Sequence, residues 1–450
     1  MAGESRSYCI RMPSTFRHPL ALGLAAGCLA ALTVSLFAEN ALGPKKLEAL
    51  FALYDREPDG PAKEKLAAEI DAVAHQKYAT VSRLYWYTDL ASALIAAREQ
   101  GRPILRLRML GRLDEDLSCA NSRLFRTTLY ANQDVSAFLR ERFILYWSSE
   151  RPVPRVTIDY GDGRKLERTT TGNSAHYVLD DHGNVLDVLP GLYAPTAFRR
   201  ELEGSLALAA RVRGASDDER AKLLVDYHQQ RVIAATRDWE RLAGTPWIPG
   251  AGQLLTEARV ESQLAAAQLR TFSKAAIELK DLRYFAKGLA PEAVSEDQVE
   301  MWSAVGQILY GIGDLKSAVP PQVRVTSRRE LTIERSHLPP PPHVMDQASR
   351  TLVSRLHNAV PRELRATDQQ RDAMIARLEQ TLVADSALNQ LRLRPQIERE
   401  IVRQGGRIDF ETLNAWIYAE VFRTPKQDAW LGLLPRNSFT GLPGDGVVMR

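Results

Sequence analysis

Apolar and polar positions fall into stretches of different period along this chain of 450 residues. Between 45 and 77, leucine and alanine recur at helical spacing among Glu and Lys, which predicts a helical stalk over 44–81. Over 82–204 helical and strand periods alternate. A helix over 90–99 opens at Thr88 or Asp89, both good caps, and ends at Gly101-Arg102-Pro103. A strand follows over 104–110. A long loop, 111–118, then leads into Cys119-Ala120-Asn121-Ser122 and a helical run ending near Tyr130. The pattern next gives a helix over 134–139, a strand over 143–147, and two strands over 176–180 and 185–189. Asp181-His182-Gly183-Asn184 turns the last two into a hairpin. A helix over 194–202 closes the segment, with Pro195 acceptable in its first turn.

Beyond it, 205–318 reads as a helical region, broken at Thr245-Pro246-Trp247-Ile248-Pro249-Gly250 and near Gly288. A Pro-rich linker spans 319–343. Its tetraproline, Pro339-Pro340-Pro341-Pro342, favours a semi-rigid extended spacer, and its strand-like middle, 323–333, is able to pair with a neighbouring sheet. A helical C-terminal domain occupies 344–450 and ends in a Gly- and Pro-rich loop.

The first 43 residues carry targeting information. Arg6, Arg11 and Arg17 precede an uncharged apolar run over 19–38, long enough to cross a bilayer as a helix. It reads as a cleaved signal peptide or an uncleaved membrane anchor. Both put the rest of the chain outside the cytoplasm, in the periplasm or cell envelope, because positive residues stay inside. Cys28 follows Leu24-Ala25-Ala26-Gly27 in a lipobox-like phrase. Lipidation there would leave 29–38 as an apolar tail, a poor arrangement.

Length implies two or three domains. The formal charge is only +4, with basic residues spread among acidic ones, so no nucleic-acid partner is expected. The eight histidines show no paired ligand spacing, so neither a metal nor another cofactor is expected. Of the three cysteines, only Cys119 lies beyond the N-terminal segment. It cannot form an internal disulfide there, and is either a small buried apolar residue or a free thiol able to pair with another molecule.

The order helix, strand, Cys, helix, strand, hairpin, helix over 82–204 resembles the thioredoxin family, in particular exported bacterial members. The matching phrases are Gly101-Arg102-Pro103-Ile104-Leu105, Asp134-Val135 through Phe143-Ile144, and Leu179-Asp180-Asp181-His182-Gly183-Asn184-Val185 with Gly191. The resemblance implies an α/β fold, a central mixed sheet flanked by helices, followed by the mainly α-helical C-terminal region. It also implies a nucleophilic cysteine at a helix start, where the helix N-terminus stabilises the thiolate. Here the motif is Cys-x-x-Ser: Cys119 keeps the first position and Ser122 replaces the second cysteine, as in monothiol members that need an external thiol to finish.

Three features depart from that pattern. The loop before Cys119 is long. Asp114, Glu115 and Asp116 lie just upstream, where carboxylates oppose a thiolate. The position of the family's cis-proline is Ser174 or Ala175, which implies a reshaped groove. Arg106 and Arg108 alternate with Leu105, Leu107 and Met109 on a strand expected to be covered on both faces. They imply buried ion pairs, with Asp114, Glu115, Asp116 or Asp159 as candidates, or a groove for an anionic ligand or partner.

Other candidates read as structure. Asp159-Tyr160-Gly161-Asp162-Gly163 is a hairpin turn more than a calcium loop, and His176 is assigned to the sheet surface. Trp416, Tyr418 and Phe422 read as core, and Arg392, Arg394, Arg399 and Arg403 as a solvated face that is also able to dock against the 82–204 domain or a partner. The expectation is a membrane-tethered, extracytoplasmic thioredoxin-like module that binds protein partners as a scaffold. The alternative is a monothiol oxidoreductase or isomerase forming mixed disulfides at Cys119.

Overall fold

The computed structural model describes residues 43–170, 172–243, 271–279, 296–313, 323–327, 330–333, 340–427 and 430. The apolar run at 19–38 lies outside these residues, as do the breaks at 245–250 and Gly288 and nearly all of the C-terminal loop. Among the described residues no helix is long and apolar enough to cross a membrane.

The protein is mixed α/β, with a four-stranded mixed sheet and a helical C-terminal region. Helix α1 (43–54) and α2 (Pro61–Ala74) fold back on each other, rather than extending as a stalk. Leu47, Leu50, Ile70 and Ala74 close a small core with Ala79 of the short helix α3 (Ala79–Ser82). The group is fastened to the sheet: the Trp147 indole donates to the His75 carbonyl (2.9 Å), and buried Trp86 donates to Gln76 Oε1 (2.7 Å).

Helix α4 (Leu90–Gln100) starts where the Asp89 carboxylate accepts the Ser92 N–H and ends at left-handed Gly101. Strand β1 (Ile104–Leu110) follows, then the loop and α5 (Ala120–Leu124), which runs on as a π-helical turn, Phe125–Leu129. Helix α6 (Gln133–Arg142), capped by Asn132, leads to β2 (Ile144–Arg151). β2 pairs parallel with β1 from Ile104↔Ile144 onward. Strands β3 (Arg155–Asp159) and β4 (Lys165–Thr169) form a separate ribbon turning at Asp159-Tyr160-Gly161-Asp162-Gly163. β5 (Ala175–Leu179) runs antiparallel to β1, and β6 (Val185–Pro190) antiparallel to β5, so the sheet order is β2-β1-β5-β6. The hairpin holds because the Asp180 carboxylate accepts the N–H groups of His182 and Asn184 (2.9 and 2.8 Å), beside left-handed Gly183.

Helices α7 (Pro195–Val212) and α8 (Asp217–Ala243) follow, with Pro195 in the first turn of α7. A short turn, α9 (Phe272–Lys274), widens into a π turn over Ala275–Leu279, and α10 (Glu296–Tyr310) packs along the later helix Asp368–Leu388. α12 (Asp368–Leu388) starts at a capping box on Thr367 and Gln370. Strands β7 (Val323–Ser327) and β8 (Glu330–Ile333) pair with each other, not with the four-stranded sheet. α11 (Gln347–His357), α13 (Arg394–Arg403) and α14 (Phe410–Trp416) complete the C-terminal half.

The sheet and the C-terminal helices share one core. Leu107, Val178, Leu186 and Phe198 belong to the same buried cluster as Leu382, Ile397, Leu413, Ile417 and Val421. The boundaries drawn at 204 and 343 therefore do not separate independent cores. The reason is geometric: a four-stranded sheet has two faces, and helices from the C-terminal half cover area that would otherwise be wet.

Buried charge pins this seam. Arg394, read from sequence as solvated, is fully buried. Its guanidinium donates to Asp187 on β6 and to Glu201 on α7, both at 2.5 Å, and its Nε lies 3.2 Å from Glu398 one turn on. Arg231 of α8 joins Glu201 (2.6 Å) and Glu398 (2.7 Å). Burial, the largest single influence, would raise the Asp187 and Glu201 carboxyls, but Arg394 and Arg231 together with the side-chain hydrogen bonds outweigh it and hold both below the usual range. Three carboxylates share two guanidinia, and Glu398 is the one that burial leaves raised.

Candidate functional site

Cys119 closes the loop that begins at Gly111. Its N–H donates to the Leu110 carbonyl (3.3 Å) and its carbonyl accepts the Arg123 N–H, so it is the N-cap of α5. The loop's length is absorbed by Arg126, which is almost wholly buried. Its guanidinium donates to the carbonyls of Leu113 (2.9 Å) and Glu115 (2.5 Å) and to Ser118 Oγ (3.1 Å). Arg126 is the positioning residue that sequence reasoning missed. The side chains of Asp114, Glu115 and Asp116 turn outward, to Arg112 (2.6 and 3.4 Å for the first two) and Lys77 (3.4 Å for Asp116).

Around the thiol stand hydroxyls. The Cys119 thiol donates to Ser122 Oγ (3.5 Å), and its sulfur lies 3.1 Å from Ser174 Oγ. Ser122 donates to Ser118 Oγ (2.7 Å) or to the Cys119 carbonyl (2.8 Å). Cys119, Ser122, Ser174 and Ala175 are all 0 % exposed. Gly172 presses on the cysteine: a Cβ there would overlap Cys119 Cβ and lie 3.0 Å from its Cα and 3.3 Å from its sulfur. Over that segment sits the π-helical turn Ile417–Val421 that follows α14. Tyr418 donates to the Asn173 carbonyl (3.0 Å), and Asn173 donates to the Phe422 carbonyl (3.3 Å). The groove expected at Ser174 and Ala175 is filled by the chain itself, and Tyr418 and Phe422 are core as the pattern implied.

His176 is not on the surface. It is fully buried, because both faces of β5 are covered, and its ring meets Phe125, Tyr130 and Phe198. Its Nε2 lies 2.6 Å from the Tyr130 hydroxyl, and burial pushes its pKa down to about 3, so the ring is neutral. A neutral imidazole tied to a tyrosine gives Cys119 no cationic partner.

Arg106 and Arg108 occupy the face of β1 opposite to Leu107 and find partners other than the acidic loop. Arg108 pairs with Glu150 (2.8 Å) and donates to Ser148 (3.0 Å). Arg106 stacks on Phe410, with its guanidinium carbon 3.3 Å from the ring centre, and lies 3.6 Å from Glu411. Asn414 completes the set, donating to Glu150 (2.8 Å) and accepting from Tyr177 (3.0 Å). These arginines dock α14 and leave no open anion groove on that face. Desolvation lowers the Arg106 pKa, a cost that stacking on Phe410 and Tyr146 helps to offset.

Two further buried groups lie beside the motif. The 271–279 segment packs against α5 and carries Lys274, fully buried, with no hydrogen-bond partner for its ammonium. Burial lowers its pKa, and the charges of Glu278 and Cys119 partly oppose that. The Asn121 side-chain amide, two residues after Cys119, is also buried without a partner.

Nothing matches this chain. That holds for protein-family models, for curated proteins and for solved structures. Among the described residues no group of three or more His, Cys, Asp or Glu is placed to hold a metal ion. Chemically, the site is one thiol in a network of neutral hydroxyls, with buried cations near it.

Proposed function

We propose that the chain is a thioredoxin-like module whose thiol is silent and whose work is binding, held outside the cytoplasm by its N-terminal segment. The observation that carries this reading is the burial of Cys119 beneath Gly172 and the C-terminal helices. A thiol that attacks another protein's disulfide must reach solvent as a thiolate. The thioredoxin-like part rests on the strand order β2-β1-β5-β6, on the parallel crossover from β1 to β2, and on Cys119 capping a helix opposite Ser174. The membrane part rests on the sequence over 19–38 and its preceding arginines.

The test is alkylation of Cys119 in the full-length protein carrying Cys9→Ser and Cys28→Ser, with Cys119→Ser as blank. The expected result is negligible labelling between pH 6 and 9 until denaturant is added. Rapid native labelling, with mixed disulfides trapped on a disulfide-bearing peptide, would establish the monothiol oxidoreductase instead.

A further inference from the structure

We infer that residues 271–279 form a releasable strap over the Cys119 helix, latched by the Asp385 carboxylate and spring-loaded by the buried Lys274 ammonium. The inference rests on the silent-thiol reading above and makes that silence conditional. The latch is one side chain. Asp385, fully buried on α12, accepts the N–H of Phe272 (2.5 Å), the N–H of Ser273 (3.2 Å) and the Ser273 hydroxyl. The Thr271 hydroxyl accepts the Lys274 N–H (3.3 Å), which closes the turn. Phe272 packs against Trp302 of α10, and the strap's other side meets Ala120–Leu124.

The three covers of Cys119 differ in their energetics. The Gly172 segment is backbone, and Tyr418 and Phe422 are neutral and satisfied, so lifting either exposes apolar surface with nothing regained. The strap holds a fully buried ammonium with no hydrogen-bond partner, near the buried carboxylate of Glu278, and opening returns both groups to water. Asp385 also regains hydration. The strap is therefore the layer that opens first, and its opening brings Asn121, Lys274 and the thiol edge towards solvent together.

The experiment measures alkylation of Cys119 in the full-length protein lacking Cys9 and Cys28, alongside amide hydrogen exchange of 271–279 and of β1 and β5. Asp385→Ala removes the latch, Ser273→Ala weakens it, and Lys274→Met replaces the unpaired charge with an apolar chain of similar length. Asp385→Ala is expected to accelerate labelling by about tenfold or more, the loss of hydrogen bonds to a buried carboxylate, with β1 and β5 protection unchanged. Ser273→Ala should act in the same direction and more weakly, and Lys274→Met should slow labelling. If Asp385→Ala does not fold, the other two carry the test. Unchanged labelling in both latter variants, or labelling that follows loss of β1 protection, overturns the strap. Fast labelling of the unaltered protein would instead overturn the silent-thiol reading.

Discussion

Replacing Arg394 with Met removes a cation that three carboxylates share. Asp187 then keeps the Val188 N–H (2.7 Å) and the hydroxyls of Ser205 (2.7 Å) and Tyr227 (3.0 Å), with no guanidinium in contact. Glu201 and Glu398 keep Arg231 as their shared cation, and Glu201 also keeps the Tyr310 hydroxyl (3.3 Å). Methionine fills much the same volume, so the cost is electrostatic rather than a cavity. Breaking a buried pair from one side costs about 3–5 kcal/mol, and Asp187, at 0 % exposure, cannot recover water to soften it. Acidity should relieve the defect. In the native protein Arg394 holds Asp187 low, so its contribution is present above the unfolded carboxyl pKa and fades as pH falls through the folded value. Without Arg394 burial takes over and raises the folded pKa above the unfolded one. The sign then reverses: stability is retained at low pH and lost as pH rises. His228, in the same neighbourhood, is pushed down to about 4 by burial and stays neutral across the window. Urea unfolding followed by circular dichroism at pH 5 and pH 8 reads both effects. The variant should lose stability at pH 8 and recover a substantial part of it at pH 5. A loss below about 1 kcal/mol, or a pH dependence parallel to the native protein's, refutes the view that this cluster pins the seam.

Asp385 supplies a second pH signature: burial outweighs its three donors and pushes its carboxyl up to about 7. A raised folded pKa stabilises fully below the unfolded value near 4, and that stability is lost as pH rises to about 7. The contribution reaches about 4 kcal/mol. The stability difference between native protein and Asp385→Asn should therefore vary across this range, and a constant difference would contradict the assignment. Arg126→Ala should cost about 2–4 kcal/mol by unpinning the carbonyls at Leu113 and Glu115, and exchange of amides in 111–118 should rise. Arg126→Lys should restore protection only in part, since one ammonium replaces the Nη1 that holds the two carbonyls but leaves Ser118 Oγ without its Nη2 donor. Gly172→Ala should destabilise strongly through overlap with Cys119 Cβ, and adding Cys119→Ala should not rescue it, because the Cβ remains. Full rescue in thermal melts would mean that the sulfur, not the backbone approach, sets the requirement.

Local pattern sufficed for most of the sheet unit. β1, β2 and the β5–β6 hairpin sit where alternation and turn residues placed them, and Asp89 and Pro195 start their helices as their chemistry implies. Partners distant in sequence were not legible. Arg394 sits in a run of regularly spaced arginines that looks solvated, and its counter-charge, Asp187, lies 207 positions away. Arg106 and Arg108 announced themselves by interrupting an apolar strand, yet α14, which explains them, comes some three hundred residues later. Strand alternation presumes one wet face and so places His176 outside, whereas here the helices of both halves cover the sheet and the ring is buried. Lys274 had a weak signal: a lone cation beside Phe272 and the apolar 275–277, in a segment too short to show a period.

The covered face also bears on function. A sheet that kept a groove open at Cys119 would leave the segment before β5 free to meet another chain's backbone. Here that segment is spent on Phe422 and Tyr418, and the arginine face of β1 is spent on Phe410, Glu411 and Asn414. The C-terminal half therefore occupies the ground where a partner would contact the motif, with side chains that are satisfied rather than frustrated. Any partner of the closed molecule must bind elsewhere, and a partner of the motif must first lift something. Among the described residues that lie over the motif, the 271–279 strap alone carries a buried ammonium without a hydrogen-bond partner, which makes it the least costly to lift.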